Sequence, residues 1–565
     1  MPPLGRDWRS LYRSNFEWAN LLARSGFEVL RFEVRGEGDS CEVAPEANQW
    51  HAWLCGVIEV ATFARATTGA QSLCLAGFRM GGLLAACAAE AAGAEYLLLL
   101  APYARGAVWL RELQLEAAIR GGGIGSDGQY NGIRLSSVSE QTIQNVAVET
   151  LPPLLKGAFV AAPDHKWWLA TFRKGALHTQ AFPGWSTLFT DSHVSEPPTE
   201  VLRSATNWLR GQIDTTEPKE SAFTARGAEV CLHGDGWLET PLVFGDHLYG
   251  ILTAPRAPHS ATIVVFGNTA ADPRSGASGS CATIARELAK LGVAAFRFDF
   301  SGVGESRDRR DGRPHVYDTS RVDEFGEAAA VLSQHGYDEC IPAGICSGGF
   351  HAVDAVLSDR RFKGAVTFNS WLVWYPGPLD IEAQAYAMRS DQMRLHGSRK
   401  SVAHLYRRLA GRLAAMRKII RSWQPNDRRR AFHRRLRAGA ARGVRLHLVF
   451  GRRDRALDGL WSDFGPMGWA FRRHQGFSVR VRDGLDHSPA CAKPRDRGRR
   501  DPRFPSRPRF SPGAPTARTA TDQGGIEMTG GPRTKGGTSR CKLSRGGRVS
   551  IDASWFGQGH LRQGS

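Results

Sequence analysis

No stretch of the 565 residues stays apolar for the roughly 18 positions that a membrane-spanning helix needs. The longest apolar run, Tyr96 to Ala101, has the length of one buried strand. The opening residues, Met-Pro-Pro-Leu-Gly-Arg, lack the apolar core of a signal peptide. The 10 cysteines form no C-x-x-C pair and follow no regular spacing. That argues against a disulfide framework and against a metal site, and for a reducing compartment. No nucleic-acid motif is present, and no aromatics interleave with the basic clusters, so nucleic acid ranks last among partners. These absences leave a soluble, cytoplasmic, cofactor-free protein as the expectation.

A net charge of +19 is the first positive feature, and it is unevenly placed. Residues 489–565 hold 16 Lys/Arg against 5 Asp/Glu, so +11 of the total lies in that tail. The tail is rich in Arg, Pro, Gly, Ser and Thr without apolar periodicity, and reads as disordered or as the product of a frame shift. The remainder is long enough for two domains with full cores.

The chain repeats itself. Ala19 to Phe32 and Ala285 to Phe298 each read as a helix, a stopping glycine and a strand. Each runs on into a G-x-G-x-S loop, Gly36-Glu37-Gly38-Asp39-Ser40 and Gly302-Val303-Gly304-Glu305-Ser306. The offset is 266 there and 267 at a second shared motif, Gly77-Phe78-Arg79-Met80-Gly81-Gly82 and Gly344-Ile345-Cys346-Ser347-Gly348-Gly349. A near-constant offset marks a duplication, with domains at 1–215 and 225–490. Strands alternate with helices in each, as in Ala261–Phe266, Val293–Phe300, Val444–Phe450 and Phe477–Val481. The expected fold class is α/β, two tandem doubly wound and mostly parallel sheets, with ligands at the carboxyl ends of the strands.

The second shared motif has the frame of a nucleophile elbow. A nucleophile on a tight strand-to-helix turn needs small flanking residues, and the following N–H then points at the reacting carbonyl from a helix N-terminus. The register puts Cys346 at the centre. Ser347 would supply one oxyanion donor and the loop around Asn268 the other. A base and an orienting acid must follow in chain order. Asp454 lies just past the strand 444–450, with Asp458 as a second candidate, and His487 lies in the loop past 477–481. The alternative is that Cys346 is a small buried residue without chemistry.

These motifs resemble the α/β-hydrolase superfamily, in its dienelactone-hydrolase and serine-aminopeptidase-like branch. More narrowly, the chain resembles the exosortase A system-associated hydrolases of bacterial exopolysaccharide clusters. One type there carries a G-x-C-x-G elbow after an R-F-D-x-x-G-x-G-x-S loop, as at Arg297–Ser306 and Gly344–Gly348, and the other carries arginine at the elbow centre, as at Arg79. The resemblance implies hydrolysis or transfer of an ester or thioester acyl group, from a small-molecule or carrier-bound substrate, and a link to exopolysaccharide production.

Arginine stays protonated and is no nucleophile. The first domain therefore reads as a scaffold that lost its chemistry, with Asp164 and His193 as vestiges of the acid and histidine and Arg79 pairing with Asp164 or holding an anion. A cap is expected at about 369–443, where an apolar stripe (Leu405, Leu409, Leu413, Met416, Ile420) is flanked by many arginines. That surface is either simply solvated or docks an anionic partner. The rival to an enzyme is a non-catalytic accessory protein that uses the same fold to bind.

Overall fold

The computed structural model describes residues 1–485 apart from 45, 120–128, 131–132, 154, 172–176, 186–187, 189–191, 193–194, 214–230, 246, 258–259, 309–319, 373–426, 453, 466–467 and 484. The basic tail, the apolar stripe of the expected cap, His193 and His487 lie outside these residues.

The N-terminal part contains a four-stranded sheet. Its strands are β1 (Cys74–Phe78), β2 (Tyr96–Leu100), β5 (Gly157–Ala161) and β6 (Leu177–Gln180), in the order β1-β2-β5-β6 and all parallel. A short hairpin, β3 (Gln129–Tyr130) with β4 (Ile133–Arg134), stands apart. The run Tyr96–Leu100 is wholly buried, as a parallel strand covered on both faces requires. The helix Arg6–Arg24 covers one face with Leu11, Trp18 and Leu22, and Trp18 meets Phe78 edge-on at 5.3 Å. Its spacing of apolar residues is one helical stripe.

The C-terminal part is built on a nine-stranded sheet. It comprises β7 (Leu232–His233), β8 (Trp237–Phe244), β9 (Leu248–Pro255), β10 (Thr262–Phe266), β11 (Ala294–Asp299), β12 (Glu339–Ile345), β13 (Gly364–Phe368), β14 (Arg445–Gly451) and β15 (Phe477–Arg482). The order is β15-β14-β13-β12-β10-β11-β9-β8-β7. Strands β10 to β15 are parallel, and β7, β8 and β9 form an antiparallel edge joined to β11. Side chains alternate between two cores: Phe296 and Phe298 pack on one face with the helices Val322–Gln334 and Ser347–Ser358, and Ala295, Ala343 and Ile345 pack on the other with Ser280–Lys290. Order reverses between β10 and β12, and a doubly wound sheet opens its ligand crevice at such a switch point.

Two expectations change. Phe27–Phe32 is not a strand. Its counterpart β11 is held between β10 and β9. Among the described residues no strand pairs with 27–32, and a strand needs such a ladder. The C-terminal end of the expected cap is also part of the body. Asp427–Ala441 is the crossover helix between β13 and β14, with Leu436 fully buried. Its Arg435 pairs with Asp354 at 2.5 Å, and Arg442 donates to the carbonyls of Val356 and Leu357, so these two cations serve the fold.

One buried acid gives the fold a pH signature. Glu37 lies in the first G-x-G-x-S loop and accepts from the Gly5 N–H at 3.0 Å. Burial pushes its carboxyl up from 4.5 to about 7. The native state thus holds that proton more tightly than the unfolded chain, and stability falls as pH rises through the window from 4.5 to about 7. Relative to Glu37→Gln, the wild type is expected to lose about 3 kcal/mol across it, since each tenfold difference in proton affinity is worth ~1.4 kcal/mol. Urea midpoints of both proteins between pH 4.5 and 8 check this, and a constant difference would refute it.

Candidate active site

Strand β12 ends at Ile345 and the helix Ser347–Ser358 begins two residues later, leaving Cys346 alone on the turn. Its φ of 53° and ψ of −117° lie where side chains are rarely tolerated. The strain is held by packing on every side. The Cys346 N–H donates to the Phe368 carbonyl at 2.9 Å, and its own carbonyl accepts from the Phe350 N–H at 3.2 Å. A Cβ on Gly344 would lie 2.2 Å from the Gly348 carbonyl carbon, and one on Gly348 would lie 2.6 Å from the Gly267 oxygen. These glycines are required by close backbone approach. Gly344→Ala is therefore expected to cost about 1–3 kcal/mol, since a backbone neighbour cannot yield as a side chain can. A shift of the urea midpoint at unchanged slope would show it; an unmoved midpoint would mean that the turn opens freely.

Ser347 is fully buried, and its Oγ accepts from the Ala270 N–H at 2.6 Å. The hydroxyl ties the elbow to the neighbouring loop, while Cys346 is only half-buried. The Ser347 hydroxyl is thus committed to the neighbouring loop, and the more exposed of the two side chains is that of Cys346. Burial pushes the thiols of Cys74 (to about 12) and of Cys87, Cys281 and Cys340 (each to about 11) well above the usual range. Those four are poor nucleophiles at neutral pH.

The Asn268 side chain is committed to local structure. Its side-chain amide donates to the Asp272 carbonyl and to Asp299 Oδ1, both at 2.9 Å, and its oxygen accepts from the Phe300 N–H at 2.6 Å. With every polar atom of its side chain bonded within the loop or to the end of β11, it ties the turn after β10 to the neighbouring strand. An oxyanion donor there would have to be a backbone N–H. The loop is braced further by Asp299, which accepts from the Arg274 N–H at 2.6 Å and pairs with its guanidinium at 3.0 Å. Arg274 and Asp272 carry no motif in the sequence, and Asp299 is marked there only by its place in the R-F-D segment.

Asp454 stands past the end of β14 and caps the helix Arg455–Phe464 by accepting from the Ala456 N–H at 2.8 Å. Asp458 is exposed one turn along that helix. The end of β14 is fixed by Asn369, whose Oδ1 accepts from the Gly451 N–H at 2.7 Å and whose φ is 49°. The loop after β15 returns to the same place. A Cβ on Gly451 would lie 2.2 Å from the Leu485 oxygen, and Arg452 pairs with Asp483. The described chain therefore stops at the acid's strand end, two residues short of His487.

In the N-terminal part, Arg79 occupies the elbow turn with φ 52°. Its guanidinium bonds Asp7 at 3.0 Å, Glu112 at 2.6 Å and the Tyr103 hydroxyl. The expected pairing with Asp164 is not made: Asp164 starts the helix His165–Thr171 through its carbonyl. The cation at this elbow is met by the chain's own carboxylates, which an external anion would have to displace. Asp7 was missed because it lies 72 residues upstream, in the first turn of Arg6–Arg24.

Strand order and elbow together define an α/β-hydrolase fold for the C-terminal part. No protein-family profile and no curated protein matches the chain. Solved structures with similar folds include a hypothetical protein from Pseudomonas aeruginosa (14% identity, 49% of this chain and 94% of that one, TM-score 0.29). They also include an esterase from Pyrococcus furiosus (12%, 44% and 82%, 0.28) and a membrane phospholipase A described as a bacterial virulence factor (14%, 46% and 82%, 0.28). Likeness of this degree carries no argument about activity.

Proposed function

We propose that the C-terminal part hydrolyses, or transfers the acyl group of, a carboxylic ester or thioester through Cys346, His487 and Asp454. The observation that supports this best is the strained turn that presents Cys346 at a helix N-terminus while Ser347 is turned away and bonded to Ala270. In this reading the Cys346 sulfur attacks the acyl carbonyl carbon and His487 takes the thiol proton. The tetrahedral oxyanion is held by the Ser347 N–H and by a backbone N–H of the loop at Asn268. Collapse expels the alkoxide or thiolate, which leaves with the proton from His487. Water, or a second alcohol, then attacks the acyl-cysteine and gives its proton to His487; collapse breaks the carbon–sulfur bond, returns that proton to the Cys346 sulfur and releases the acid or the new ester. Asp454 orients the imidazole and stabilises its cationic form.

The N-terminal part lacks a nucleophile in this scheme, and Arg79 bound to Asp7 and Glu112 favours a supporting role for it. Among the described residues no helix is long and apolar enough to cross a membrane. A cytoplasmic location, read from composition, a carrier-bound acyl substrate and an anionic partner, read from the arginines of the insert, and a place in exopolysaccharide production, implied by the resemblance, belong to the same proposal. The test is hydrolysis of a panel of short acyl esters and acyl thioesters by the purified protein, with mass-spectrometric search for an acylated Cys346 peptide. A folded wild type that turns over none of them and acylates nowhere would favour the non-catalytic binding protein.

A further inference from the structure

Two loops of the same design meet inside the described chain. At the shared offset, Arg31 matches Arg297, Glu33 matches Asp299, Gly38 matches Gly304 and Asp39 matches Glu305. The loops are built alike. Glu33 accepts from the Asp39 N–H at 2.6 Å, and Asp299 accepts from the Glu305 N–H at 3.0 Å. Gly36 N–H donates to the Cys41 carbonyl as Gly302 N–H does to Arg307, and Ser40 N–H to Glu37 as Ser306 N–H to Val303. Gly38 and Gly304 both have positive φ, and a Cβ on either would strike the matching acid, Glu33 or Asp299. The likeness extends past the loops. The order β1-β2-β5-β6 reproduces β12-β13-β14-β15, the elbow residues Arg79 and Cys346 share φ near 50°, and Met1 bonds the Ala76 carbonyl as Gly267 bonds that of Ala343.

The contacts between the loops are reciprocal. Arg31 pairs with Glu305 through both terminal nitrogens, at 2.9 Å, and Arg297 pairs with Asp39. Each arginine of one copy thus grips the acid of the other copy at the matching position. Residue i meets j′ and i′ meets j, which is the signature of a two-fold, isologous contact between like subunits. Each acid has a second partner from the opposite copy as well: Arg274 on Asp39 at 2.7 Å, and the Tyr12 hydroxyl on Glu305 at 2.5 Å. The same face holds the loop after β10, because Arg9 pairs with Asp272 at 3.0 Å and the Ser192 hydroxyl donates to it at 2.6 Å.

We infer that residues 1–215 and 225–490 are two copies of one unit joined across a pseudo-two-fold, isologous interface, the N-terminal copy being a built-in partner subunit for the C-terminal one. The surface on each copy is the loop that runs from the arginine to the acid just after the second glycine of R-F-[DE]-x-x-G-x-G-[DE], and the partner it fits is a second copy of the same unit. This assignment does not depend on the proposed chemistry, and neither does its test.

A protease site placed in the full chain between Ile213 and Cys231 allows the folded protein to be nicked after purification. The nicked wild type is expected to sediment as a single one-to-one particle on dilution to low concentration. Asp39→Asn and Glu305→Gln, each nicked in the same way, should weaken association by about 30-fold or more, as truncating one partner of a buried charge pair does. Circular dichroism before nicking identifies a variant that fails to fold. In that case Arg31→Lys, at the less enclosed end of the reciprocal pair, takes its place with the same expectation. Separation of the nicked wild type into free halves would overturn the inference. So would a response to only one of the two reciprocal acids.

Discussion

Cys346→Ala is expected to lower ester or thioester turnover by about 10³-fold or more, to the level that binding and an oxyanion hole supply without a nucleophile. The expectation rests on geometry before chemistry. A residue at φ 53° on a turn walled in by Gly344, Gly348 and Gly349 is held there by its surroundings, and alanine tolerates the same backbone with less to lose. The variant should therefore fold, which makes loss of turnover readable as loss of the sulfur. Cys346→Ser is not expected to restore the rate, because a site that activates a thiolate does not by itself deprotonate a hydroxyl. The acid is tested alongside. Asp454→Asn should reduce kcat by orders of magnitude, whereas Asp458→Asn, on the exposed face of the helix Arg455–Phe464, should leave it within about two-fold. Alkylation read peptide by peptide gives a second measure. Cys346 should label with iodoacetamide well before Cys74, Cys87, Cys281 and Cys340, whose thiols burial has pushed up. Equal turnover by wild type and Cys346→Ala would sink the cysteine mechanism outright.

The elbow was legible in sequence because its geometry is local. Close approach of Gly344 to Gly348, and the turn between a β-branched strand end and a helix, are written within six adjacent residues. The strands β10, β11, β14 and β15 are legible for the same reason: β10 is a short apolar run, and β11, β14 and β15 set apolar residues beside or between polar ones over six or seven positions. What was not legible depends on residues far apart in the chain. Asn268 looked like an oxyanion donor because it follows a strand, but its partners Asp299 and Phe300 are about 30 positions away, and only the fold turns its amide inward. Arg79 looked free to hold an anion because Asp7 and Glu112, which bind it, carry no motif. Phe27–Phe32 has the composition of a strand and fails to become one because a strand is a property of its neighbours. The helix Asp427–Ala441 falls in the span expected as a cap, though its buried Phe432 and Leu436 join the core of the C-terminal part.

Arg297→Ala is expected to cost about 3–5 kcal/mol, the largest stability effect of any single substitution considered for this chain. Arg297 is fully buried and bonds Asp39 and Glu239. Around it, Arg286 pairs with Glu239 at 2.7 Å, and Arg274 pairs with Asp39 at 2.7 Å and with Asp299 at 3.0 Å. Three arginines thus face three carboxylates, and the cluster is neutral. Burial alone would raise the Asp39 carboxyl, but Arg274 and Arg297 outweigh it and hold the group below its usual range. Asp299 is the opposite case, since burial outweighs Arg274 and raises it. Removing Arg297 leaves one uncompensated negative charge in a dry interior. Arg297→Met, which refills the volume without the charge, should recover little. The charge explanation also has a sign in pH. In the variant a carboxylate of the cluster takes up a proton more readily than in the unfolded chain, so the variant gains stability as pH falls, and its deficit against wild type should be smaller at pH 5 than at pH 8. Arg31→Ala should cost less, about 1–2 kcal/mol, because Glu305 keeps the Tyr12 hydroxyl and Arg31 retains some contact with solvent. Chemical denaturation of the three variants at two pH values decides it. A deficit for Arg297→Ala below about 1 kcal/mol, or one that widens on acidification, would mean that the cluster is not the electrostatic lock between the two halves that its geometry describes.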